Sequence, residues 1–196
     1  MRSALVLAGG ASSRFGRPKA LIEFRGRPMI AWITDVVSRH ADELLVSVAD
    51  AGQADLVRAA VPRALVVQDE AKGRGPIEGL ARGFEAAAGE LVLVAPCDAP
   101  LLRPALHDAL VTALGDHEAA VPRIEVFDPV RAVYRREAAV RVLREAAVPS
   151  PSALVDRLRT VVLDEPALRL VDPDLRSFLD VNGPEDLARA SAWPGP

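Results

Sequence analysis

The sequence predicts an α/β fold: three layers, Rossmann-like, with a mainly parallel sheet and helices on both faces. Three observations carry this. Short, continuous apolar runs recur along the chain. Stretches with helical spacing separate them. Polar clusters, most of them glycine-containing, follow the runs. Continuous hydrophobicity suits strands covered on both faces, and strand–helix alternation implies right-handed βαβ units.

The runs come first. Residues 3–8 (SALVLA), 43–49 (ELLVSVA), 63–69 (RALVVQD), 90–96 (ELVLVAP) and 118–124 (EAAVPRI) read as strands rich in Val, Leu and Ala. Between them, 28–40 places Ile30, Ile33, Val36 and Val37 on one helical face, with Pro28 suited to a first turn. Residues 76–88 and 103–114 read the same way. Further on, 128–147 reads as a strand running into a helix, and 149–158 as a turn and short helix. Residues 159–165 read as a strand and 177–181 (SFLDV) as a short extended piece, with a last helix from Pro184. No stretch is long enough to be a linker between domains, so residues 1–196 read as one domain.

Composition narrows the function. Half of the 196 residues are hydrophobic and 26% are charged, with a net charge of −3. No global basic field points to nucleic acid. No apolar run approaches a membrane span, and no signal-peptide cleavage pattern follows the first residues, so a cytoplasmic protein is expected. The single cysteine, Cys97, excludes an intramolecular disulfide and reads as a small buried hydrophobe. His40, His107 and His117 show no zinc spacing and read as surface histidines.

In an open parallel sheet, ligands collect beyond the carboxyl ends of the strands. Four polar clusters are expected there. The first is GGASSRFGRPK, where Gly9 and Gly10 permit close backbone approach and Arg14 and Lys19 supply charge. It is neither a Walker loop nor a dinucleotide fingerprint, and reads as an anion cradle or a turn with two solvated cations. The second is PCDAP, whose Asp98 either holds Mg²⁺ or caps a helix. The third is Asp69 with KGRGPIEG, where Gly75, Pro76 and Gly79 form either a ligand loop or a tight helix–sheet contact. The fourth is DVNGPEDL, in which Asn182 precedes a helix start built from Glu185 and Asp186.

Together, LAGGASSRFGRPKAL, GPIEGL, PCDAP and DVNGPEDL resemble the nucleotide-sugar-pyrophosphorylase-like nucleotidyltransferases, and among them the molybdenum cofactor guanylyltransferases, the MobA family. The resemblance implies a nucleotide-binding half over about 1–100 and an acceptor-binding half over about 101–190. It implies transfer of GMP from Mg²⁺·GTP to the phosphate of molybdopterin, with or without molybdenum. Molybdoenzymes or cofactor-delivery proteins would be further partners. Leu7, Ala8, Gly9 and Gly10 would contact the nucleotide, Arg14 and Lys19 the triphosphate, and Asp69 the nucleoside. Gly75, Pro76 and Gly79 would cradle guanine, Asp98 would bind Mg²⁺, and Asn182 would lie on the acceptor or metal side. Four positions depart from the pattern: Phe15 replaces the usual methionine, Ser47 stands where some members have asparagine, Gly183 replaces a common threonine, and Arg131 replaces an apolar residue. The alternatives are a sister enzyme using CTP, on molybdopterin or another small phosphorylated acceptor, and an inactive nucleotide-binding relative.

Overall fold

A computed structural model describes residues 1–9, 15–71, 73–145 and 147–194. In chain order the elements are β1 (Arg2–Leu7), the hairpin strands β2 (Glu23–Phe24) and β3 (Arg27–Pro28), α1 (Met29–Val37), β4 (Glu43–Val48), α2 (Ala51–Ala60), β5 (Leu65–Gln68), α3 (Pro76–Ala86) and β6 (Leu91–Pro96). There follow α4 (Pro104–Leu114), β7 (Ala119–Arg123), β8 (Val133–Arg135), α5 (Arg136–Glu145), α6 (Pro151–Val155), β9 (Thr160–Asp164), α7 (Glu165–Val171) and α8 (Pro184–Ala192).

Among the described residues, seven strands form one sheet in the order β5-β4-β1-β6-β8-β7-β9. Only β8 runs against the others, antiparallel to both β6 and β7. The carboxyl ends of β5, β4, β1 and β6 therefore share one edge. Alternation along the strands builds the layers. In β1, Ala4 and Val6 face α1, α2 and α4, while Leu5 and Leu7 face α3, α5 and α6. Both faces of the central strands β1, β4 and β6 are buried, which is why these strands carry continuous rather than alternating hydrophobicity.

Proline and small polar residues start the helices. Pro76, Pro104, Pro151, Pro166 and Pro184 occupy the first helical positions of α3, α4, α6, α7 and α8, where the missing N–H costs nothing. Asp50 caps α2 by accepting from Gln53 N at 2.9 Å, and Ser150 caps α6 by accepting from Ala153 N at 3.2 Å.

The structure adds to the sequence reading and corrects it. The helices α2 and α7 and the β2–β3 hairpin fall in stretches that periodicity left unassigned. In α2, few residues besides Ala54 and Val57 pack inward, too thin an apolar stripe to register. Residues 177–181 form no extended strand. A single 3-10 turn spans Arg176–Phe178 and irregular backbone follows. The cause is local: Asp172 accepts from Ser177 N at 2.8 Å and Arg131 Nε donates to Ser177 O at 2.8 Å, so side chains take the bonds a neighbouring strand would have used. His107 is not a surface residue. It is fully buried on α4, its Nε2 lies 3.0 Å from Val94 O, and burial lowers its pKa to about 4. Cys97 is buried as expected, and burial together with the Asp98 charge pushes its thiol pKa up.

Candidate active site

The carboxyl edge of the sheet is tied together before any ligand is considered. Ala8 N donates to Ser47 O at 2.8 Å, Cys97 N to Leu7 O at 3.0 Å and Asp69 N to Val48 O at 2.9 Å. Buried Gln53 completes the seam. Its Nε2 donates to Ala8 O at 3.0 Å and its Oε1 accepts from Ala49 N at 2.8 Å. Gln53 was invisible to motif reading because it lies on the unassigned helix α2.

Lys19, on a single 3-10 turn, reaches across to two other segments. Its Nζ lies 3.1 Å from Asp98 Oδ2 and 2.6 Å from Asn182 Oδ1. These residues are separated by 79 and 163 positions in sequence. Asp98 sits in the turn after β6, and Val181 N donates to Asp98 O at 2.8 Å, which brings Asn182 alongside. Asn182 thus reaches the edge by pairing with the Asp98 turn and not as the end of a strand. Its N–H donates to Asp186 Oδ2 at 2.9 Å, so the first turn of α8 fixes it from the other side. A third small core lies behind the trio. Ile22 and Phe24 follow Lys19, Leu101 follows Asp98, and Val181 precedes Asn182, and all four pack together with Met29 and Ala190. Phe15 packs against the same cluster.

A cleft of about 240 Å³ runs from Gly9 and Pro76, past Lys19 and Asp98, to Arg131 and Asp180. Leu7 and Ala8 also line it. On the Gly9 side, Asp69 accepts from Ser47 Oγ at 3.2 Å, and its Oδ2 lies 3.3 Å from where a Cβ at position 9 would stand. Burial raises the Asp69 pKa, the Ser47 hydrogen bond lowers it and the Glu78 charge raises it further, with a net upward shift. Ser47 thus orients Asp69. Gly75 has φ +69°, a left-handed backbone that suits glycine, and it hands the chain to Pro76 at the head of α3. Gly79 points into the protein. A Cβ there would lie 2.5 Å from Ser47 Oγ, so this glycine lets α3 lie against β1 and β4. Glu78, which motif reading passed over, is buried beneath the loop. It accepts from Glu70 N and Ala71 N at 3.3 Å each and from Arg74 at 2.9 Å. Gly10 and Arg14 lie outside the described residues.

The other side of the cleft is built from charge. Arg131 is buried and pairs with Asp128 and Asp180. Burial pushes the Asp180 carboxyl above the ordinary carboxylate range, Arg131 opposes this, and the charge of Asp98 adds to the rise. Asp180 stands two residues before Asn182, and that short offset is the sequence signal that could have found it. Among the described residues, no three His, Cys, Asp or Glu side chains gather into a metal cluster. Asp98 and Asn182 do, however, aim two oxygens at one cation, the Lys19 ammonium. That donor set, one carboxylate and one amide oxygen, fits a hard cation such as Mg²⁺, which ordinarily keeps waters and substrate phosphates as its remaining ligands.

A glycine-bearing strand end, a lysine and a carboxylate meeting at the carboxyl edge of a mainly parallel sheet fit the site of a nucleotidyltransferase. The comparisons agree. Residues 4–163 match the family model of the MobA-like NTP transferase domain, and the chain belongs to that family. A probable molybdenum cofactor guanylyltransferase of Methanosarcina mazei is 32% identical over 95% of this chain and 88% of its own length. The molybdenum cofactor guanylyltransferase of Ectopseudomonas mendocina is 33% identical over 96% and 91%. The crystal structure of molybdopterin-guanine dinucleotide biosynthesis protein A from Archaeoglobus fulgidus superposes with a TM-score of 0.81, at 26% identity and 97% coverage of both chains.

Proposed function

We propose that this enzyme transfers GMP from GTP to the terminal phosphate of molybdopterin, forming the guanine dinucleotide cofactor and releasing pyrophosphate. The observation that carries the site assignment is the meeting of Lys19, Asp98 and Asn182 on one edge, backed by full-length likeness to guanylyltransferases. A phosphate oxygen of the acceptor forms a bond to the α-phosphorus, and the bond from that phosphorus to the bridging oxygen breaks, the electron pair leaving with pyrophosphate. A phosphate monoester is already largely dianionic at neutral pH, so the reaction needs no strong general base. Positioning and charge stabilisation supply the rate.

The residues divide the work. Leu7, Ala8 and Gly9 offer backbone to the nucleotide. The Asp69–Ser47 pair and the loop clamped by Glu78 receive the nucleoside, with Gly75 and Pro76 at its rim and Gly79 setting the close approach of α3. Lys19, together with Arg14, neutralises the triphosphate and the departing pyrophosphate. Asp98 and Asn182 would hold Mg²⁺, which supplies Lewis-acid neutralisation of phosphate charge when bound. With those two oxygens turned to the metal, the Lys19 ammonium would be left to pair with the phosphates. The half of the chain from about residue 101 carries the acceptor side, with Arg131 and Asp180 at the cleft. Cofactor-delivery proteins or recipient molybdoenzymes are the partners this activity calls for, in the cytoplasm.

The test is a panel of GTP, CTP, ATP and UTP with Mg²⁺ and molybdopterin, read by pyrophosphate release. GTP-selective release is expected. Selectivity for CTP would replace this reading with cytidylyl transfer, and nucleotide binding without release would make the chain an inactive relative.

A further inference from the structure

Away from the cleft, a second cavity of about 210 Å³ lies between the β2–β3 hairpin, α1 and the turn that follows Asp98. Its wall carries Arg25, Arg27, Arg39, Arg103 and Arg176 against one carboxylate, Asp35. Arginine is common throughout this chain, so number alone carries nothing. The other grooves supply the control. In one, Arg135, Arg136, Arg141 and Arg159 face Glu90, Glu118 and Glu137. In another, Arg74, Arg82 and Arg144 face Glu70, Glu78 and Glu85. Cation and anion nearly balance in both, while in the hairpin cavity they do not.

Nor do the local ion pairs close the gap. Asp35 is already shared between Arg27, at 2.7 Å, and Arg63, at 3.0 Å. Arg103 leans on buried Asp172 at 3.3 Å. Arg25 is spent on the carbonyls of Ala190 and Trp193. Arg39 and Arg176 have no carboxylate partner among the described residues, and Arg176 Nε is a buried donor with no acceptor. The rest of the wall is apolar, with Phe24, Trp32, Leu101 and Leu102. Low-polarity walls focus the field of the arginines into the cavity. Its volume falls below the 300–1,000 Å³ typical of sites that enclose larger ligands.

We propose that this cavity is a second, anion-binding site, taking a small molecule with two or more phosphate or carboxylate groups. Arg39 and Arg176 are its recognition residues, since a guanidinium offers a donor fork matched to either oxyanion. The site does not depend on which nucleotide the cleft uses. It does lie against the third core, whose Phe24 and Leu101 belong to the segments carrying Lys19 and Asp98.

The chain supplies its own reporter. Its two tryptophans, Trp32 and Trp193, both pack at this third core, and Trp32 lines the cavity. Tryptophan emission of the full chain is titrated with inorganic pyrophosphate and, separately, with citrate, without metal and at constant ionic strength. A saturable change is expected, and it persists in Lys19→Ala, where phosphate binding in the cleft is crippled. In Arg39→Ser/Arg176→Ser, affinity falls at least about tenfold, the loss of one good charge-assisted contact. Arg39→Glu, a change at an exposed position that leaves packing alone, weakens binding in the same direction. Stronger binding of pyrophosphate assigns the site to phosphates and stronger binding of citrate to carboxylates. No saturable change with either anion, or a change lost in Lys19→Ala yet kept in the double arginine variant, overturns the proposal.

Discussion

The two sides of the cleft are built by opposite means. The Gly9 side is made of backbone, with strand ends bonded to one another, Gln53 bridging two of them, and glycines that let α3 press on the sheet. The Arg131 side is made of charge, with one buried guanidinium held by two carboxylates and a carbonyl. A backbone-built surface is pre-shaped and nearly neutral, which suits a ligand that brings its own charge. A charge-built surface depends on every partner being present, because an unpaired buried ion is far costlier than a lost contact.

That contrast can be broken first at Arg131. Arg131→Met strands Asp128 and Asp180, and because both carboxylates keep some contact with solvent the loss should be about 1–3 kcal/mol, the cost of leaving partly buried polar groups without partners. Urea unfolding should show the loss at neutral pH, and the added substitution Asp180→Asn should recover part of it. If Arg131→Met is neutral alone, the charge-built description fails. The core beneath β6 offers the next test. His107 is buried under β6 with a pKa of about 4, against an ordinary value of 6.5. Its folded pKa is depressed, so the unfolded chain binds the proton more readily. Its neutral form is fully favourable to the fold above about pH 6.5, and stability drains as pH falls from there toward 4. The full loss is about 3 kcal/mol at 1.36 kcal/mol per unit. His107→Gln should flatten that part of the stability–pH curve, and an unchanged slope would disprove the assignment.

Chemistry at the centre of the cleft gives a comparable effect. Asp98→Ala and Lys19→Ala should each lower transfer on the order of 10²-fold, by analogy with the loss of one transition-state donor. Lys19→Met should also tighten Mn²⁺ binding by the nucleotide-free protein, read by electron paramagnetic resonance, because Asp98 and Asn182 lose their resident cation. The smallest effect tests the backbone-built side. Gly79→Ala forces a methyl toward Ser47 Oγ, and overpacking of this kind costs about 1–3 kcal/mol. The lower melting temperature should come with a raised KM for nucleotide, since α3 carries the Pro76 rim. A shift in melting temperature with KM unchanged would separate α3 from the site.

How much of this was legible in the sequence depended on the range of the interaction. The strands β1, β4, β5 and β6 and the helices α1, α3 and α4 came through because their apolar patterns are local and proline marks helix starts, whereas α2 and the β2–β3 hairpin, with thin apolar stripes, did not. Asp98, Lys19 and the glycine loops were legible because short motifs concentrate them. Gln53 was not, since it lies on a helix the pattern missed, and the roles of Glu78 and Asp180 were not, although both stand inside short motifs, because the backbone and charge they act on lie in other segments. His107 was misread for the same reason: one polar residue on an amphipathic helix gives no sign of which side it faces until the helix is docked.

By itself, then, the sequence determined the layer architecture, the strand edge to which the polar clusters belong and the residue types available there, because periodicity and turn chemistry act over a few residues. Only the tertiary structure decided that Lys19 bridges Asp98 and Asn182, that Ser47 turns Asp69, and that Arg131 is buried between two carboxylates. Those contacts span up to 163 positions, and what brings them together is the packing of the third core and the register of the sheet.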